Sequence, residues 1–368
     1  MHTYINLPIR RKFAYPKSMK KVTLPAFVIL LVALAAGLGF VVSRTTDLPT
    51  VEEFTKDLQK ANSALEPSDQ VSRDVMPYAP QYTEINGHKI YYVSGGTSDD
   101  NSAMIFLHGN PTQSYMWRHT LPYVEQVSAF YAFDWPGYGY SDKPSPPLNY
   151  EGFYNVLSDF IDQQNLEKVV LVIHDFSSML AFHYAAQNPE RIKGIVFMES
   201  LVPPVLPIKS TQDLGRAGQF FQNIRHPDFK QNMIIDGNGF VELFVQTGTV
   251  NGLTPEAEKV YRAPFENKQN RHVLLVFPNL LPIGGKPNTM DLRTKAYAKW
   301  FLNSHDIPKL FLYGEPGLFN KPALVEYYKK NTPEVTSVNV GKGYHYLPEE
   351  HGDAIGQAIT QWYTANFK

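Results

Sequence analysis

The chain has no cysteine among its 368 residues. Thiolate metal sites, disulfide frameworks and thiol nucleophiles are therefore excluded, and a cysteine-free chain suits any redox compartment. An excess of charge is missing too. The formal net charge is −1, which removes the electrostatic basis for binding nucleic acid or an anionic bilayer. Internal repeats, low-complexity tracts and Asn-x-Ser/Thr sequons are also lacking. What remains is a globular composition, 43% hydrophobic and 19% charged, with 22 Tyr and 23 Phe. Such aromatic content serves a thick core or an apolar pocket. The length allows one large domain with an inserted subdomain, or two ordinary domains.

One long hydrophobic run stands out. Residues 22–42 carry no charge and are apolar apart from Thr23. At 1.5 Å per residue such a helix spans a hydrocarbon core of about 30 Å. Arg10, Arg11, Lys12, Lys17, Lys20 and Lys21 precede it, and only Arg44 and then Asp47 follow closely. The positive-inside rule then predicts a cytoplasmic tail over 1–21, a transmembrane anchor over 22–42 and a linker over 43–80, with the C-terminal domain on the non-cytoplasmic side. Within the linker, Val51, Phe54, Leu58 and Ala61 have helical spacing. The alternative is a cleaved export signal that leaves a secreted or periplasmic protein. Ala33-Leu34-Ala35 offers a cut, and Arg10-Arg11 faintly resembles a twin-arginine signal.

From about residue 82, strand-like and helix-like stretches alternate, which predicts a mostly parallel sheet flanked by helices. Lys89–Val93, Ala103–Leu107, Ser128–Phe133, Val169–Ile173, Gly194–Met198, Lys309–Tyr313 and Ser337–Val340 read as strands. Tyr150–Gln164, Met179–Gln187, Ala323–Lys330 and Asp353–Ala365 read as helices. The alternation breaks between about Pro203 and Met290, where helical patterns predominate. The predicted organisation is a first core part over 81–202, a helical cap over 203–290 and a second core part over 291–368. A pocket would lie between cap and sheet.

The sharpest motif runs from Val169 through Ile173 to His174-Asp175-Phe176-Ser177-Ser178. A strand, a turn too tight for a loop and a helix make the layout of a nucleophile elbow. Its apex is Asp175. A carboxylate, ionised at neutral pH, attacks an electrophilic carbon directly and gives an ester of the enzyme. An Asp here is equally at home capping the following helix. His108-Gly109-Asn110-Pro111 follows an earlier strand, where such folds draw one oxyanion N–H. The second comes from the residue after the nucleophile, here Phe176. Gly341-Lys342-Gly343-Tyr344-His345 follows the last strand, and the order nucleophile, acid, His singles out His345 among 11 histidines. For the acid, Glu199 and Glu315 both end strands, whereas Asp306 precedes one. The residues leave that choice open, with Glu199 slightly ahead. His174 and His183 fit structural roles, and Trp135 fits packing beneath the oxyanion loop. Phe220, Phe221, Phe240, Phe244 and Phe277 serve the pocket or the apolar faces of the cap.

Together these residues resemble the haloalkane dehalogenases over most of 80–366. The resemblance is carried by His108–Arg118, Asp134–Pro144, Ile234–Asn238, Phe277–Ile283, Gly314–Gly317 and Tyr344–Glu350. It is best to the branch whose acid follows the strand before the cap, which favours Glu199. The resemblance implies an α/β-hydrolase fold with Asp175 as nucleophile, His345 as base and Glu199 as its partner. It also implies Asn110 as halide donor, a small organic haloalkane and water as reactants, and no metal or organic cofactor. One departure stands out. That family places Trp after the Asp, and its indole N–H is the second halide donor, whereas Phe176 has none. Epoxide hydrolases share the elbow and add cap tyrosines, for which Tyr261 is a candidate. Coelenterazine luciferases share it without needing halide. A membrane-tethered homologue without turnover is the non-enzymatic alternative.

Overall fold

The computed structural model describes residues 74–98, 100–202, 204–211 and 221–368. The expected tail, anchor and most of the linker, as well as Phe220, lie outside these residues. Among the described residues no helix is long and apolar enough to cross a membrane.

Eight strands form one sheet in the order β1-β2-β4-β3-β5-β6-β7-β8. They are β1 Gln81–Ile85, β2 His88–Gly95, β3 Ser102–Leu107, β4 Phe130–Phe133, β5 Lys168–Asp175, β6 Ile192–Ser200, β7 Lys309–Pro316 and β8 Val335–Gly343. The β1–β2 and β2–β4 pairs are antiparallel, and every other pair is parallel. Seven of these strands match the runs read from sequence to within a few residues. β1 falls where the alternation begins, at about residue 82, and the sequence predicts no separate strand there. Every residue of β5 after Lys168 is buried, as an unbroken apolar run requires when helices cover both faces of a sheet.

Helices α1 Tyr150–Gln163 and α2 Ser177–Gln187 flank the centre of the sheet. Between β6 and β7 the described chain is helical and includes α3 Gly239–Thr247 and α4 Pro255–Arg262. It contains no strand there, only two isolated bridges around Ile283. Helix α5 Asn288–Asn303 begins before residue 290 but packs on the core: Phe182 of α2 lies against Tyr297 and Phe301 at 6.1 and 5.1 Å between ring centres. Helix α6 Pro322–Asn331 precedes β8, and α7 Leu347–Phe367 closes the chain with a non-helical kink at His351. The sequence predicted only the part of α7 beyond that kink.

The sheet reverses its strand order between β3 and β5, with β4 on one side and β6 on the other. The loops leaving two such neighbours diverge, and the crevice at their carboxyl ends is where sheets of this kind bind ligands. Asn110 leaves β3 and Asp175 ends β5, so the two lie side by side at the reversal.

Candidate active site

Asp175 ends β5 with φ +56°, in the left-handed region that non-glycine residues seldom occupy and that Asp tolerates better than most. Helix α2 starts two residues later. The chain therefore turns within one residue and lifts the carboxylate above the sheet edge. Hydroxyls hold this turn: Ser177 donates to the carbonyls of Leu107 and His174 at 3.0 and 2.6 Å, and Ser178 donates to that of Asp175. Gly109 is required beside it, because a Cβ there would lie 2.5 Å from Asp175 Cβ and 2.7 Å from Oδ2.

The Asn110 backbone N–H donates to Asp175 Oδ2 at 2.9 Å, and the Phe176 N–H also hydrogen-bonds the carboxylate. Burial pushes the Asp175 pKa above the ordinary carboxylate value, while the His345 imidazole and these two N–H groups pull it back. On the other side, Asp175 Oδ1 lies 3.8 Å from His345 Nε2. That nitrogen is buried and has no protein partner.

His345 Nδ1 meets Glu199 Oε2 at 3.3 Å. Glu199 is fully buried, and its carboxylate accepts N–H bonds from Leu318, Phe319 and Asn320 at 2.8–3.3 Å. Its direction comes from a bulge. His174 pairs with Met198 and Asp175 with Ser200, so Glu199 is an extra residue, with φ +44°. A bulge re-aims one side chain, here toward the imidazole. Glu315 and Asp306 are both exposed, and Glu315 faces Asn339 instead.

The Asn110 side chain donates one amide N–H to the Leu274 carbonyl of the cap at 3.1 Å, leaving the second N–H of that amide for a ligand. Phe176 is buried, with its ring stacked on Phe277 at 3.6 Å and on Tyr138 at 6.0 Å. Phe244 lies 5.9 Å from the His345 ring, so Phe244 and Phe277 are the expected cap aromatics that reach the site. Tyr261 does not serve it. Its hydroxyl donates to Glu349, which also forms a bidentate pair with Arg118 at 2.6 and 2.9 Å.

The neighbouring histidines have structural tasks. His174 Nε2 donates to the His345 carbonyl at 2.8 Å, and burial holds its pKa well below the usual value. His108 Nε2 accepts the Trp135 N–H at 3.0 Å, and burial lowers its pKa to about 4. Trp135 in turn donates its indole N–H to the His108 carbonyl at 3.2 Å, beneath the oxyanion loop. His183 hydrogen-bonds Tyr150 at 3.0 Å. Three contributors escaped the sequence reading: the N–H turn over 318–320, the Leu274 carbonyl and the Gly248 carbonyl. Gly248 accepts the N–H groups of both His345 and Tyr346, at 2.9 and 2.8 Å. All are backbone groups, which leave no signature in side-chain identity.

The raised Asp175 pKa fixes a sign. In the folded chain the ionised form is disfavoured relative to the unfolded chain, so this group's stabilising contribution is complete below the unfolded pKa and lost as pH rises through the folded one. Asp175→Asn is therefore expected to raise denaturant resistance at pH 7, and the gain should vanish on acidification below the ordinary carboxylate range. Equilibrium unfolding of both chains across pH checks this. Gly109→Ala should destabilise the turn and distort the carboxylate position in the same assay.

The site has clear relatives. Residues 102–352 match the α/β-hydrolase fold family. The haloalkane dehalogenase of Bradyrhizobium diazoefficiens is 34% identical over 276 residues, covering 72% of this chain and 88% of that protein. The haloalkane dehalogenase of Mesorhizobium japonicum is 33% identical and covers 74% of this chain and 86% of that protein. The crystal structure of an ancestral haloalkane dehalogenase superposes with a TM-score of 0.73 at 33% identity, over 77% of this chain and 98% of that one. A shared fold, several relatives above 30% identity and coverage of most of both chains agree: the chain belongs to the haloalkane dehalogenase family of α/β hydrolases.

Proposed function

We propose that this chain hydrolyses carbon–halogen bonds through an alkyl ester on Asp175. The observation that carries the reading is the carboxylate itself, set between two backbone N–H groups on one side and an unpartnered imidazole nitrogen on the other. In the first step Asp175 attacks an sp³ carbon. The C–O bond forms as the C–X bond breaks, and halide departs with the bonding pair beside the Asn110 amide. In the second step His345 Nε2 takes a proton from water, which adds to the ester carbonyl. The tetrahedral oxyanion rests on the N–H groups of Asn110 and Phe176. Its collapse releases the alcohol, which takes up the first proton from His345, and the carboxylate is regenerated as the second proton of the water leaves to solvent. Glu199 stabilises the imidazolium and fixes the ring orientation. Phe176 removes a side-chain donor from the leaving-group site, which slows the first step.

The substrate class is a small haloalkane, and water is the second reactant. We further propose that residues 22–42 tether this hydrolase to a membrane, supported by the apolar run and the basic residues before it. The full chain should then stay with the bilayer after alkaline carbonate extraction. Quantitative release of a shortened chain would overturn the tether in favour of signal cleavage.

Halide release from 1-bromobutane is expected for the wild-type chain and should be abolished in Asp175→Ala. Glu199→Gln should lower it by about 10²–10⁴-fold, the usual contribution of a general base that needs its orienting acid, whereas Glu315→Gln should leave it unchanged. Phe176→Trp should raise it by about one to two powers of ten, the effect of one added hydrogen bond to a charged group. No halide from any haloalkane at high enzyme concentration would contradict the proposed reaction.

A further inference from the structure

The proposed first step frees an anion among aromatic rings. Phe176, Phe277 and Phe244 contact the elbow or its histidine, and none carries a hydrogen-bond donor. A halide that forms in such surroundings needs N–H or O–H groups, since an unpaired buried charge is strongly disfavoured. Asn110 supplies one amide N–H after its bond to Leu274. A second donor has to come from elsewhere in the site.

Tyr346 meets the requirements. It follows His345 directly, and both backbone N–H groups are pinned by the single carbonyl of Gly248. Its ring lies 5.4 Å from that of His345, 6.3 Å from His174, 6.0 Å from Tyr261 and 6.5 Å from Phe244, so it sits between core and cap beside the imidazole. Gly248 is shaped to this ring, because a Cβ there would approach it to 2.7 Å. Tyr346 is 1% exposed, yet its hydroxyl has no hydrogen-bond partner, unlike most buried hydroxyls. The phenol also feels the Asp175 charge, which together with burial, the larger effect, holds its pKa well above the usual tyrosine value. It therefore keeps its proton and remains a donor. Tyr138, the other tyrosine that feels Asp175, points its hydroxyl at the Val273 carbonyl at 3.5 Å.

We propose that the Tyr346 hydroxyl donates a hydrogen bond to the departing halide, as the second anion donor beside the Asn110 amide. No proton is transferred to the halide. The electron pair of the C–X bond leaves with the halogen, and the phenol only solvates the charge. The inference rests on the alkyl-ester reading, and the two fail differently.

The test compares wild type, Tyr346→Phe and Tyr346→Phe/Phe176→Trp. Since the hydroxyl has no protein partner, Tyr346→Phe should fold as the wild type does. The inhibition constant of bromide should rise about tenfold in Tyr346→Phe, as for the loss of one charge-assisted bond. Release from 1-chlorobutane should fall more than release from 1-iodobutane, because the poorer leaving group depends more on its donors. The added indole N–H should restore both. Unchanged bromide inhibition with unchanged chloride-to-iodide preference would overturn the proposal. So would build-up of the alkyl ester with unaltered bromide inhibition, since the hydroxyl would then serve the hydrolytic water. If the variant does not fold, bromide titration of the wild-type chain decides: a shift of the tyrosine ultraviolet band supports the proposal and its absence overturns it. A wild-type chain that releases no halide would instead remove the underlying reaction.

Discussion

For the proposed reaction a carboxylate has to remain ionised while buried, and the structure around Asp175 bears on that one constraint. Burial pushes Asp175 toward its neutral form, which is a poor nucleophile. Two backbone N–H groups and the imidazole of His345 oppose that shift. Each requires a local distortion: the left-handed apex at Asp175, the absent Cβ at Gly109 and the bulge that turns Glu199 inward. Strained positions of this sort persist only where surrounding contacts over-determine them. The serine hydroxyls beneath the elbow and the N–H turn around Glu199 supply such contacts.

The cap does more than cover the site. Its Gly248 carbonyl fixes the His345 loop, its Leu274 carbonyl orients the Asn110 amide, and its Phe277 ring stacks on Phe176. A further link runs through Glu350, whose carboxylate accepts the N–H groups of Tyr344 and Val250 at 2.7 and 2.5 Å. Geometry at Asp175 is thus shared between the sheet and a helical layer. In the proposed reaction the distances around Asp175 then depend on how the cap is seated, so side chains far from Asp175 can alter rate through the backbone groups they support.

Much of the fold was legible because a sheet covered on both faces writes unbroken apolar runs such as Val169–Ile173, and the tight turn after it marks an elbow. His345 was legible from chain order alone. The choice of Glu199 over Glu315 was not, since both end strands. Geometry separates them: a one-residue bulge buries the first, while the second is exposed. The sequence equally hid the acceptor and donor groups at Gly248, Leu274 and 318–320, because backbone atoms are common to every residue. Tyr261 illustrates the reverse error. Its cap position suggested a ring-opening donor, but the buried Arg118–Glu349 pair takes its hydroxyl. The expected anchor over 22–42 lies outside the described residues.

The covalent step is open to direct observation. His345→Phe removes the base that acts on water, so alkylation should proceed while hydrolysis stalls. Incubated with 1-bromobutane and analysed by peptide mass spectrometry, this variant should carry one butyl group on the peptide containing Asp175. A folded His345→Phe chain that gains no mass there, or that is alkylated elsewhere, would contradict the role assigned to the Asp175 carboxylate.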